Sequence, residues 1–218
     1  MLVGFYGGTF DPVHRGHCHV ANQVAQALQL DKIRLVLSAR PGHRVQPYAS
    51  IEHRWEMLKL ACQHNELLVA DDCEVKRHGM SFTIDTVEEF VKRNPDSLPC
   101  WILGQDSFAT LPTWHRYEEL LNYCNLVVVD RPQGYVDEPE VVKQLCYNHE
   151  QSQLDSNKVG QIVRLSLTML PISATEIRQQ RVQQCTSWQD KVPNGVASYI
   201  QQHQLYVEQQ TLVKEGFN

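Results

Sequence analysis

A short apolar run, Leu2-Val3-Gly4-Phe5-Tyr6, leads through Gly7-Gly8-Thr9-Phe10-Asp11-Pro12-Val13 into His14-Arg15-Gly16-His17, and a helical pattern follows. Five residues are too few for a helix, so the run reads as a strand feeding a helix through a glycine turn. That unit commits the chain to a sheet whose parallel strands are joined by helical crossovers. The glycines let the backbone come close to a phosphate, because no Cβ stands in the way. His14 and His17 are three apart and can share one face of the first helical turn. Helix-start amides and imidazoles then aim at one anion.

The rest of the chain keeps the alternation. Residues 16–30 place Val20, Val24 and Leu28 at helical spacing, and residues 33–37 read as a second strand. Ser50 caps a helix in which Ile51, Trp55, Leu58 and Cys62 form one stripe. Residues 67–70 and 73–75 read as short strands. A helix from Ser81 or Thr83 runs through Ile84, Val87, Phe90 and Val91 and stops at Asn94-Pro95. Residues 101–103 predict a strand with Gly104 directly after it, residues 117–123 a helix, and residues 126–129 a fully buried strand. Residues 162–167 are the last strand candidate before a helix from Ser173. The expected class is α/β, with a doubly wound parallel sheet. Residues 1–207 form one domain in this reading. Within it residues 134–160, polar and broken at Glu138-Pro139, make a peripheral insertion with one short helix near 141–146; residues 208–218 are a loosely held tail.

A formal charge of −5 argues against a broad nucleic-acid face, yet allows a local cationic cluster. The cysteines are odd in number, form no Cys-x-x-Cys pair and sit mostly in apolar runs, as reduced buried thiols do. The chain does not open on a basic stretch with an apolar core, and no apolar run approaches the roughly 18 residues that cross a bilayer. The expected location is the cytoplasm, with no membrane partner.

In open parallel sheets, ligands sit beyond the carboxyl ends of the strands, where the strand order reverses. Residues 7–17, 38–44, 104–106, 130–132 and 172–178 all follow strand candidates, so the fold gathers them on one rim. His14-Arg15-Gly16-His17 resembles the His-x-Gly-His motif of the nucleotidyltransferase superfamily. Ile172-Ser173-Ala174-Thr175-Glu176-Ile177-Arg178 resembles its second signature, Ile-Ser-Ser-x-x-x-Arg. Three further stretches, Ser81-Phe82-Thr83-Ile84-Asp85-Thr86, Leu103-Gly104-Gln105-Asp106 and Trp114-His115-Arg116-Tyr117-Glu118, make the pattern most similar to bacterial nicotinate-mononucleotide adenylyltransferases. The resemblance covers residues 1–132 and 162–207.

The resemblance implies a Rossmann-like nucleotidyltransferase fold and a reaction of NAD biosynthesis. In that reaction the 5′-phosphate of nicotinate mononucleotide attacks the α-phosphorus of ATP and pyrophosphate leaves. It makes His14, His17 and Arg178 the catalytic residues, with His17 nearest the α-phosphate and Arg178 on the β- and γ-phosphates. Gly8, Thr9, Phe10, Gly104, Asp106, Arg131, Ser173 and Thr175 would line the ATP site. His43 and Arg44 would take the mononucleotide phosphate, Trp114 the cationic pyridine ring, and amides near Thr83 and His115 the nicotinate carboxylate. Mg2+ would bridge phosphates and rely on substrate oxygens and water, so no protein metal ligand is expected. A phosphate monoester, with a second pKa of about 6, is already an oxyanion at neutral pH. The protein's work is then positioning and electrostatics.

Plainer readings stand beside these. Gly7-Gly8 fits an ordinary turn, and His14, His17 and His19 with Cys18 fit a zinc site, although no ligand spacing recurs downstream. Ser173 and Glu176 fit a capping box, Trp114 a core anchor after Pro112, and Arg131 a surface loop. Ala174 replaces the second serine of the signature, and Arg40-Pro41-Gly42-His43-Arg44 departs from the Pro-Pro-His-Lys or Pro-Pro-His-Arg stretch of the family. The competing functions are a related transferase acting on nicotinamide mononucleotide or phosphopantetheine, and a catalytically silent nucleotide-binding protein. Without Gly-x-Gly-x-x-Gly after the first strand, or any Gly-Lys-Ser/Thr, a dehydrogenase and a P-loop enzyme are disfavoured.

Overall fold

The computed structural model describes residues 1–40, 46–77, 79–130 and 136–207. These form a six-stranded sheet of β1 (Leu2–Gly8), β2 (Lys32–Leu37), β3 (Leu68–Asp71), β4 (Leu98–Gly104), β5 (Asn125–Asp130) and β6 (Ile162–Ser166). The order is β3-β2-β1-β4-β5-β6 and every pair is parallel. All carboxyl ends therefore share one edge, and the order reverses between β1 and β4. The crossovers carry α1 (Arg15–Leu28), α2 (Ile51–Cys62), α3 (Cys73–Lys76), α4 (Thr83–Arg93), α5 (Gln105–Ala109), α6 (Leu120–Tyr123) and α7 (Glu140–His149); α8 (Ala174–Val182) and α9 (Asn194–Gln202) follow β6.

Alternation along the strands divides the apolar side chains into two clusters, one on each face of the sheet. Val3, Phe5, Trp101 and Leu103 pack with Ile84, Val87, Phe108, Leu120 and Val142 from α4, α5, α6 and α7. Leu35, Leu37 and Ile102 pack with Val20, Val24, Leu58, Ile177, Val196 and Ile200 from α1, α2, α8 and α9. Each fully buried side chain of this size contributes about 1.5–3 kcal/mol.

The doubly wound parallel sheet is as expected, with one local correction. Residues 73–75 are the start of α3, not a strand. The Asp71 carboxylate accepts the Cys73 N–H at 2.9 Å and turns the chain out of the sheet as β3 ends. Ser50 caps α2 as expected, accepting from the His53 N–H. The 134–160 stretch supplies the β5–β6 crossover helix α7, whose Val142 is fully buried. Residues 208–218 lie outside the described residues. Among those described, no helix is long and apolar enough to cross a membrane.

Candidate active site

The loop after β1 delivers two imidazoles to the carboxyl edge. His14 is the extended residue that caps α1, and His17 stands in the helix's first turn. Their rings stack with centroids 3.7 Å apart and planes 24° apart. His17 Nδ1 accepts the His14 backbone N–H at 3.2 Å, so the proton of a neutral His17 sits on Nε2. Phe10, buried and in the left-handed region at φ 48, meets the His17 ring edge-on at 5.0 Å. Gly16 leaves room for the stack, because a Cβ there would stand 3.0 Å from His14 Nδ1 and press on that ring. Burial lowers the His14 pKa to about 4. Burial, and then the charge of His14, hold His17 well below its ordinary value. Both imidazoles are thus neutral at pH 7, and His14 Nδ1 is buried with no hydrogen-bond partner among the described residues.

Arg178 arrives from α8. Its Nη1 donates to the Asp11 carbonyl at 2.6 Å, its Nη2 to Thr175 Oγ1 at 3.2 Å, and the guanidinium lies 4.5 Å over the Tyr48 ring. Ser173 caps α8, accepting the Glu176 N–H at 3.1 Å. Only half of the capping box forms, since the Glu176 carboxylate is taken by Lys191 and Gln180. The two signature segments are drawn together from α1, where His19 Nε2 and Gln23 Nε2 both meet the Thr168 carbonyl, at 2.8 and 2.7 Å. His14, His17, Ser173, Thr175 and Arg178 therefore cluster on the face of the sheet that carries α1 and α8.

The proposed acceptor residues approach the same edge from the opposite face. Thr83 is the first residue of α4, where the first amides of the helix have no intrahelical partner. Phe82, just before it, lies against the His115 ring at 4.3 Å. Trp114 is half-buried and packs on the apolar cluster of this face, as the core-anchor reading expects, with part of its surface left accessible. Ser81 binds Arg40 in both directions, N–H to carbonyl and hydroxyl from N–H, each at 3.2 Å, tying the end of β2 to the start of α4. Gly104 ends β4, next to β1, and a Cβ there would meet nothing within 4 Å. Asp106 follows it, exposed in the first turn of α5. Gly8 and Thr9 stand where β1 ends. His43, Arg44 and Arg131 lie outside the described residues.

Two further residues hold the rim in place, and sequence reasoning passed over both. Arg54 is 1% exposed, and its guanidinium donates to four backbone carbonyls: Ala49 at 3.2 Å, Thr9 at 3.0 Å, Ser38 at 2.8 Å and Ala39 at 3.2 Å. One side chain thereby ties the loops after β1 and β2 together. Its signal was an arginine four residues before Leu58, on the apolar stripe of α2. Asp11, also buried, accepts from the Tyr48 N–H at 2.6 Å, the Ala49 N–H at 3.1 Å and the Tyr206 hydroxyl at 2.7 Å. The zinc reading finds no support in the geometry: His19 is engaged by Thr168, and burial pushes the Cys18 thiol up to about 11. The described residues contain no group of three or more His, Cys, Asp or Glu side chains placed to hold a metal ion.

A family model described as cytidylyltransferase-like matches residues 5–180. The chain belongs to this family. Among curated relatives, the probable nicotinate-nucleotide adenylyltransferase of Pseudomonas fluorescens is 41% identical over 207 residues, spanning 94% of this chain and 96% of its own. That of Cellvibrio japonicus is 42% identical over 207 residues, spanning 94% and 98%. A solved Plasmodium falciparum nicotinic acid mononucleotide adenylyltransferase complexed with NaAD aligns with a TM-score of 0.71 over 94% of this chain and 97% of its own. At 17% identity that likeness speaks for the fold alone, and the fold is the Rossmann-like nucleotidyltransferase one.

Proposed function

We infer that this chain is a nicotinate-nucleotide adenylyltransferase, which joins ATP and nicotinate mononucleotide to give nicotinate adenine dinucleotide and pyrophosphate. The observation that carries this reading is the stacked His14–His17 pair, with Arg178 bonded to the Asp11 carbonyl of the loop that delivers it, at the edge where the sheet order reverses. That is a donor-rich rim for a polyphosphate, with no side chain needed as nucleophile.

In the mechanism we propose, the two substrates enter from opposite faces of the sheet and meet above β1. The acceptor's phosphate oxygen attacks the α-phosphorus in line, and pyrophosphate departs on the far side. His17 donates from Nε2 to an α-phosphate oxygen as charge builds there, and His14 supports it from the stack. Both rings are held neutral by burial; an arriving polyphosphate raises the His14 pKa, and its unpartnered Nδ1 can take a proton where negative charge develops, while His17 stays neutral and donates from Nε2 because its Nδ1 is engaged. Arg178 spans the β- and γ-phosphates with its planar fork. The starts of α1 and α8, including Ser173 and Thr175, and the backbone of Gly8, Thr9 and Phe10 add amide and hydroxyl donors. Gly104 leaves room for a ribose, and Asp106 accepts from its hydroxyl; Arg131 borders the adenine.

On the acceptor side, Trp114 faces the pyridinium ring, and amides near Thr83 and His115 receive the nicotinate carboxylate. His43 and Arg44 take its phosphate. A site of donors favours a carboxylate over an amide, whose N–H groups would face other donors. Mg2+ fits this chemistry as an ion carried by the phosphates, because both oxygens of the nearby Asp11 carboxylate are already engaged by the protein. When bound, it neutralises phosphate charge and leans on substrate oxygens and water.

The test supplies Mg-ATP with nicotinate mononucleotide, nicotinamide mononucleotide or phosphopantetheine, and measures pyrophosphate and dinucleotide. Dinucleotide formation is expected to be fastest with nicotinate mononucleotide. No product with that acceptor, and turnover with another, overturns the assignment.

A further inference from the structure

We propose that Asp11 is a positioning residue for Arg178, and that Tyr206, at the far end of the chain, locks it in place. The proposal rests on the reading that Arg178 binds the phosphates of ATP. The Arg178 guanidinium is lodged at two places outside its own helix. It donates to the Asp11 carbonyl at 2.6 Å and lies 4.5 Å over the Tyr48 ring. Both lodgings are governed by one residue. Asp11 supplies the first with its own backbone, and Asp11 Oδ2 fixes the second by accepting the Tyr48 N–H at 2.6 Å. Asp11 Oδ1 accepts the Ala49 N–H at 3.1 Å and the Tyr206 hydroxyl at 2.7 Å, across 195 positions of sequence.

The hydroxyl is built into this place. Tyr206 is 8% exposed and holds a left-handed backbone at φ 60. Burial and the Asp11 charge push its phenol well above the ordinary value, so it remains a donor at any working pH. Loss of that hydrogen bond leaves Asp11 Oδ1 with the Ala49 N–H alone, the longest of its three contacts at 3.1 Å, so Asp11 is held less firmly, and with it the carbonyl and the ring that aim Arg178. The segment itself stays docked without it, because Val196 and Ile200 are fully buried and Tyr199 bonds His53 Nδ1 at 2.9 Å.

The experiment measures the Kd of ATP by calorimetry, and the KM values of ATP and nicotinate mononucleotide, at a temperature well below unfolding. Tyr206→Phe is expected to weaken ATP binding about threefold to tenfold, a fraction of what a hydrogen bond to a charged group contributes, because the loss reaches ATP only through Arg178. The KM of the acceptor should stay within about twofold. Tyr199→Phe removes the other phenol of the same terminal segment and should leave ATP binding unchanged. In an Arg178→Ala background, Tyr206→Phe should have no further effect on the ATP Kd, as a double-mutant cycle requires of a residue acting through Arg178. Unchanged ATP affinity in Tyr206→Phe overturns the proposal. So does an equal loss in Tyr199→Phe, or an undiminished loss in the Arg178→Ala background. Because ATP binding is read directly, failure to form dinucleotide would refute the functional reading without disturbing this test.

Discussion

Acidification should destabilise this protein through its imidazole pair before its carboxylates titrate. Burial lowers the His14 pKa from 6.5 to about 4. The folded state therefore refuses a proton that the unfolded chain accepts, and the stability this confers is complete above pH 6.5 and lost as pH falls. By linkage, His14 alone removes about 2 kcal/mol between pH 8 and pH 5, and about 3.4 kcal/mol once pH is below 4. His17, also held down by burial and by His14, adds in the same direction. Glu74, whose carboxyl is pushed up by burial, opposes the trend. It is common to wild type and variant, so it cancels in a comparison. Urea unfolding of the wild type and of His14→Asn at pH 8, 6.5 and 5 measures the term. The wild type should lose about 2 kcal/mol more than the variant over that range. Curves that fall in parallel would show that His14 is not held neutral by the fold. The same logic predicts proton uptake when Mg-ATP binds near pH 6, seen as a binding enthalpy that changes with the ionisation enthalpy of the buffer.

Substitutions at three positions extend the test. His17→Ala should lower turnover by at least about a hundredfold in a folded protein, as for loss of a transition-state donor; near-normal kcat removes His17 from the mechanism. Trp114→Ala should raise the acceptor KM about fivefold to thirtyfold, the equivalent of 1–2 kcal/mol of stacking and cation–π attraction, and an unchanged KM rejects the stacking role. Arg54→Met leaves four carbonyls without their donor, so stability should fall by at least about 3 kcal/mol and Tm by about 6 °C or more. Arg54→Lys should not restore it, because an ammonium cannot spread its donors over four carbonyls. Thermal unfolding of both variants decides the matter.

What was legible in the sequence was local. A five-residue apolar run before Gly7-Gly8 reads as a strand, and histidines three apart after it can share one face, so the nearness of His14 and His17 was open to spacing while their role came from the resemblance. Alternating strand and helix patterns then dictated a parallel sheet and the rim where its loops meet. The misread piece, residues 73–75, was also local. Its β-type composition lost to a hydrogen bond that the Cys73 N–H donates to the side chain of Asp71, whose effect depends on where β3 ends.

The residues that hold the rim were hidden for a different reason. Arg54 occupies an apolar stripe, and periodicity reads a charged residue there as an interruption at the stripe's margin. Its four partners are backbone carbonyls, which every residue possesses, so no side chain in the sequence advertises the site. Asp11 lies inside the most informative segment of the chain, yet its three donors come from residues 48, 49 and 206. Catalytic groups must present their own chemistry to substrate and so leave a residue-type signature. A residue that positions them needs only the right distance to a peptide group, and that distance exists only once β1 lies between β2 and β4 and α9 has closed over α2. Substitutions at Arg54, Asp11 and Tyr206 should therefore act on activity through geometry that no local motif records.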